Sequence, residues 1–142
     1  MKKTIGALMC AICILAIALS LASCVDAGED GSLWEGAIHQ KDVELGEGSK
    51  TVQVEVEADG KSITITLHTD AKTLADALRE HELLEGTESE FGLYVKKVNG
   101  ILADYDVDKT YWGFYKSGEY MMTGADATEI ADGEHYELVK TK

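Results

Sequence analysis

The sequence predicts an α+β domain, a twisted sheet of hairpins with one covering helix. Three observations predict it. Apolar and polar residues alternate on both sides of Asp59-Gly60. One stretch carries a helical period behind a capping signal. The remainder returns to short strand-like runs separated by Asn-Gly, Ser-Gly and Asp-Gly pairs. The order is ββα followed mostly by β, which suits a sheet with its helix on one face.

The first hairpin is the clearest element. Val52, Val54 and Val56 alternate with Gln53, Glu55 and Glu57, and Ile63, Ile65 and Leu67 alternate with Thr64 and Thr66. Asp59-Gly60 between them suits a two-residue turn. Such a loop pairs Ala58 with Lys61. Val56 then faces Ile63, Val54 faces Ile65 and Val52 faces Leu67, so all six apolar side chains share one face.

Thr73-Leu74-Ala75-Asp76 follows with capping-box spacing. Leu74, Ala77, Leu78, His81 and Leu84 recur at helical intervals, and Gly86 is the expected stop. The helix would run about three turns, or roughly 18 Å, and cover one face of the hairpin. Residues 93–98 then lead into the Asn99-Gly100 turn and out through 101–103. Residues 111–116 turn at Ser117-Gly118 and return through 119–122, which sets Lys116 opposite Glu119 as an ion pair. Asp132-Gly133 precedes a last strand at 135–139. Ahead of all this, residues 33–48 carry Leu33, Trp34, Ala37, Ile38, Val43 and Leu45. They are too apolar for a linker and are expected to pack on the domain edge.

The N-terminus reads as an address. Lys2 and Lys3 precede an uncharged run, 5–21, which ends at Leu21-Ala22-Ser23-Cys24. A basic start, an apolar core and small residues at the cut make a secretory signal. The run is near the minimum for a membrane span, but acidic residues follow it rather than a basic stop. Leu21-Ala22-Ser23-Cys24 resembles a bacterial lipobox, in which the cysteine sulfur receives the lipid. Residues 1–23 are thus expected to be a lipoprotein signal peptide, Cys24 the lipid attachment, 24–32 an acidic tether and 33–142 the domain. That arrangement places the protein on the extracytoplasmic face of the cell membrane. Cys10 and Cys13 leave with the signal and Cys24 is consumed, so the mature domain has no thiol for a disulfide, a nucleophile or a metal.

Without Lys2 and Lys3, 11 basic side chains (13 less two) face 26 acidic ones, a net charge of −15. Nucleic acid is excluded as a partner, because phosphate binding needs a basic surface. No cofactor motif is present, nor a Gly-x-Ser-x-Gly or His-Glu-x-x-His, so an enzyme is not expected. Asp104, Asp106 and Asp108 have the opening spacing of a calcium loop. Lys109 and Tyr115 stand where such a loop needs glycine and glutamate, so no metal site is assigned. His81 and Glu85 lie one helical turn apart, while His39, His68 and His135 are scattered.

The best binding candidate is aromatic. Tyr111, Trp112, Phe114, Tyr115 and Tyr120 fall within ten positions, with Met121 and Met122 beside them. Alternation puts Trp112 and Phe114 on one face as core. It leaves Tyr111, Tyr115, Tyr120 and Met122 on the other as the candidate ligand-binding surface, unless Trp34 lies over it.

Thr73-Leu-Ala-Asp-Ala-Leu, Phe91-Gly-Leu-Tyr-Val, Val98-Asn-Gly-Ile, Tyr111-Trp-Gly-Phe-Tyr and Asp132-Gly-Glu-His-Tyr, in that order, resemble the DUF4430 family of transcobalamin C-terminal-like domains. The resemblance runs from about residue 51 to 140, and Trp34 and Leu45-Gly-Glu-Gly resemble the family's lead-in. Ser117-Gly118 stands where the family usually has Asn-Gly, and Glu134 where it often has Asp. The resemblance implies a β-grasp-like fold and a surface module that captures a small organic ligand, a corrinoid among them, and passes it to a membrane transporter. The alternative from the residues is a protein–protein interaction or adhesion module, and a hydrolase comes last. Concavity discriminates the first two: a pocket favours a ligand and a flat apolar patch favours a protein.

Overall fold

Asp59 and Gly60 both take left-handed backbone angles, φ 54° and 78°, as a two-residue turn between twisted strands requires. The computed structural model describes residues 33–142. It begins with β1 (Val43–Gly46), β2 (Lys50–Ala58) and β3 (Lys61–Thr69). β2 and β3 pair in the expected register: Val52 with Leu67, Val54 with Ile65, Val56 with Ile63 and Ala58 with Lys61. All six apolar side chains are buried, each contributing roughly 1.5–3 kcal/mol. The described residues contain no cysteine, so packing of this kind holds the fold without covalent help.

Residues 33–48 pack on the domain edge, as expected. β1 adds to β3 in parallel, with Val43 beside Ile65 and Leu45 beside Leu67. Trp34, in a 3-10 turn at Leu33–Gly36, is buried; its indole N–H donates to the Ala58 carbonyl at 2.9 Å. The Lys61 ammonium sits 4.7 Å from its ring centroid.

α1 (Leu74–Arg79) starts where the capping signal places it, with the Asp76 N–H donating to the Thr73 hydroxyl at 3.2 Å. Its apolar side, Leu74, Ala75, Ala77 and Leu78, is fully buried. The helix is shorter than its period suggests, and Gly86 is not its stop. The chain leaves through Glu82 at φ 59°. The Leu83 N–H donates to the Leu78 carbonyl at 2.9 Å and the Glu82 N–H to that of Arg79 at 3.1 Å, the left-handed exit that glycine normally takes. Gly86 instead lies in β4 (Leu84–Ser89), at a register shift against β5 (Gly92–Val98). A Cβ there would stand 2.3 Å from the Tyr94 carbonyl oxygen.

β4, β5 and β6 (Ile101–Leu102) form a second sheet of three strands, so the single helix does not cover the main sheet alone. Leu93, Val95 and Val98 from this sheet join the same core. The turn between β5 and β6 is Asn99-Gly100, as predicted. A four-residue helix, α2 (Tyr105–Asp108), follows.

β7 (Tyr111–Lys116), β8 (Glu119–Tyr120) and β9 (His135–Thr141) complete the main sheet in the order β1-β3-β2-β9-β7-β8. β9 runs parallel to β2 and antiparallel to β7, and buries Tyr136 and Leu138 against Val54 and Val56. The stretch before it returns to the helix start, with the Leu74 N–H donating to the Thr128 carbonyl at 2.9 Å and the Ile130 N–H to that of Lys72 at 3.0 Å. Among the described residues the architecture is α+β, with two sheets and two short α-helices.

Lys116 and Glu119 are opposite each other, as expected, but they do not form the ion pair. The Lys116 ammonium reaches Glu134 at 2.6 Å. Lys116 shares a cross-strand position with Tyr136, beside the mostly shielded Glu134 carboxylate, whereas Glu119 is exposed. The expected signal peptide, lipid attachment at Cys24 and acidic tether lie outside the described residues. Among the described residues no helix is long and apolar enough to cross a membrane.

Candidate functional site

Burial along β7 does not alternate cleanly, and the two side chains assigned to core border a cleft. Trp112 is buried, only 4% exposed, and its indole N–H donates across to the Lys96 carbonyl at 3.3 Å. Phe114, two residues on, is only half-buried. The two side chains open into a cleft of about 530 Å³ between β7 and β5. Tyr111, Trp112 and Phe114 of β7 form one wall; Leu93, Tyr94 and Val95 of β5 form another; Tyr105 and Asp106 of α2 close the end. This is within the size range of small-molecule sites, and the walls are of the usual kind, aromatic with few polar groups.

The four residues predicted as the binding surface are not brought together. Tyr111, 37% exposed, lines the cleft. Tyr115 packs edge-on against Tyr120, ring centroids 5.4 Å apart, beside Glu137. Neither lines the cleft, nor does Met122, which is 90% exposed. Trp34 is held at the Ala58 end of β2.

Alternation missed Tyr94, Tyr105, Asp106, Trp112 and Phe114 as site residues. One signal was available for Tyr94, an aromatic ring at the solvent position between buried Leu93 and Val95. Tyr105 sits in an acidic stretch that looks like a loop from sequence.

The spaced aspartates brace α2. Asp104 caps it, accepting the Asp106 N–H at 3.0 Å, and its carboxylate lies 3.6 Å from the Lys96 ammonium. Asp108 accepts the Thr110 N–H at 3.0 Å and lies 3.5 Å from Lys140. The Thr110 hydroxyl, against a cost of burial and with help from Lys140, holds the Asp108 carboxyl below its usual range. Asp106 has no ion pair or side-chain hydrogen bond among the described residues. Lys109, left-handed at φ 62°, closes the helix and places its ammonium 5.0 Å from the Tyr105 ring centroid.

The histidines do not converge. His68 is held between Thr51 and Glu44. His135 lies 3.5 Å from Glu55 and 4.0 Å from Glu137 on the outer sheet face. The buried Nε2 of His81 has no partner among the described residues, and a Cβ on Gly46 would stand 3.2 Å from it. Among the described residues no group of three His, Cys, Asp or Glu side chains is placed to hold a metal ion.

The family model for the domain of unknown function DUF4430 matches residues 71–136, a span that includes every wall of the cleft. No curated protein matches the chain. Among solved structures, a Ruminococcus gnavus protein provisionally described as metal-binding superposes with a TM-score of 0.63 and 33% identity, over 66% of this chain and 98% of that one. Haptocorrin in complex with Cbi superposes with a TM-score of 0.57 and 19% identity, over 69% of this chain and 26% of that one. That second likeness shows the shared fold, and the chain spans about a quarter of haptocorrin. With a third of its aligned residues identical to a protein it covers almost end to end, and with the family model matched over 71–136, the chain belongs to the DUF4430 family.

Proposed function

We propose that the protein is a lipid-anchored, extracytoplasmic binding module, not an enzyme, that captures a small organic ligand in the β5–β7 cleft and delivers it for uptake by a membrane transporter. The cleft carries the reading. It is a cavity of about 530 Å³ walled by aromatic side chains. The lipobox-like Leu21-Ala22-Ser23-Cys24 supports the anchor. The likeness to haptocorrin in complex with Cbi makes a corrinoid the first ligand to try and supports a β-grasp-like description of the fold.

Tryptophan emission tests this directly. The chain has two tryptophans, Trp34 and Trp112, and only Trp112 lines the cleft. Titrating the purified chain with cobalamin should change its emission saturably, and the change should vanish in Trp112→Phe. A corrinoid that binds with full signal in Trp112→Phe places the site elsewhere.

Phe91, 93% exposed, and Met122 favour the second reading, a protein-contact module. Both are large apolar side chains turned to water. Loss of a captured protein partner in Phe91→Ser, with cobalamin binding absent, would support that reading.

A further inference from the structure

We infer that the cleft selects a positively charged organic group, an ammonium carried on an apolar body. The inference rests on the reading of the cleft as a ligand site and names the class of ligand it takes.

Three features of the cleft agree on the charge. Its walls present the rings of Tyr94, Tyr105, Tyr111, Trp112 and Phe114, and an aromatic face attracts cations through its negative quadrupole, most strongly where water is excluded. Asp106 is its only formally charged lining residue. The flanking aspartates face lysines, Asp104 with Lys96 and Asp108 with Lys140, whereas Asp106 has no partner among the described residues. A cleft with one unneutralised carboxylate and no basic lining repels anions and gives a neutral ligand no use for the charge.

The third feature is an internal precedent. The Lys109 ammonium already stands 5.0 Å from the Tyr105 ring centroid, so one ring of this wall holds a cation in the ligand-free fold. Tyr94, Tyr111 and Trp112 have no such lysine among the described residues. The chain's net charge of −13 adds a long-range pull of the same sign on an approaching cation.

Choline and its neutral isostere, with carbon in place of nitrogen, separate charge from shape. Both would be titrated into the purified chain, followed by Trp112 emission with Trp112→Phe as the blank, alongside cobalamin. Choline should bind about tenfold or more tighter than the isostere, and more weakly as salt rises. Asp106→Asn should remove most of that preference while leaving the isostere's affinity unchanged. Asp106 is exposed, so the variant's circular dichroism should match the parent. Equal affinity for choline and the isostere, unmoved by Asp106→Asn, overturns the charge selection and leaves the cleft a ligand site. Cobalamin binding with no response to choline does the same. If neither choline, the isostere nor cobalamin changes Trp112 emission, the cleft reading falls and the charge selection with it.

Discussion

The Lys116 ammonium meets the Glu134 carboxylate at 2.6 Å, and the Tyr136 hydroxyl donates to the same carboxylate. Burial works against the charge on Glu134, but these two donors and the Ala131 N–H at 2.9 Å outweigh it, and the carboxyl is held below its usual range. Burial first, and then Glu134, raises the Tyr136 phenol well above its ordinary value. A depressed carboxyl contributes stability that is present above its unfolded pKa and is lost as pH falls through the folded one. The protein should therefore lose stability below about pH 4 partly through this group. Glu134→Gln should cost about 1–2 kcal/mol at neutral pH and make the acid limb shallower in urea midpoints taken across that range. An unchanged limb would show that Glu134 is not among the titrating groups.

Leu78→Ala should destabilise the domain by about 2–5 kcal/mol, because Leu78 is fully buried in the core. Thr73→Ala should cost about 1 kcal/mol through loss of the helix cap. Chemical denaturation measures both, and a Leu78→Ala cost below about 0.5 kcal/mol would remove it from the core.

The Asn99 side chain closes a two-way bridge to His39, accepting its N–H at 2.9 Å and donating to its carbonyl at 2.8 Å, while wholly buried. Asn99→Asp keeps a residue tolerant of the left-handed turn but loses the donor and buries a charge. It should destabilise by about 1–3 kcal/mol and raise hydrogen exchange in residues 36–40 first. Uniform exchange across the domain would argue against a local clamp.

Tyr115→Ala should leave ligand binding unchanged and cost about 1 kcal/mol through its edge-on contact with Tyr120. Tyr111→Ala should weaken binding about tenfold. The reverse pattern would move the site to the outer face of β7.

Cys24→Ala should abolish fatty-acid labelling of the protein and release it from the membrane fraction or leave it unprocessed. Labelling that survives the substitution would falsify the anchor.

What could be read in advance was local. The β2–β3 register followed from Asp59-Gly60 because turn length and side-chain alternation both point to one pairing, and the Asn99-Gly100 turn was legible for the same reason. The helix length was not. Leu84 continues the period of Leu74 and Leu78, and nothing local shows that Glu82 takes a left-handed angle usually left to glycine. Gly86 is required by close approach to Tyr94, a contact between strands that forms only when β4 and β5 pair. The cleft was hidden for a related reason. Alternation assigns Trp112 and Phe114 to one side of β7, but whether that side is sealed depends on how far other elements reach. A six-residue helix and a separate small sheet leave the side open at Phe114.

The strand order has a temporal consequence. β9, which ends at residue 141, sits between β2 and β7. The early hairpin can close as soon as it is made, yet it has no neighbour on the β2 side until the last strand arrives. Until β9 is in place, the β2 edge of the hairpin keeps a row of unpaired backbone N–H and C=O groups. Contacts of such long sequence separation also slow the final step. Among the described residues nothing before β9 completes the sheet, so the domain stays unlocked at the β2 edge until β9 docks.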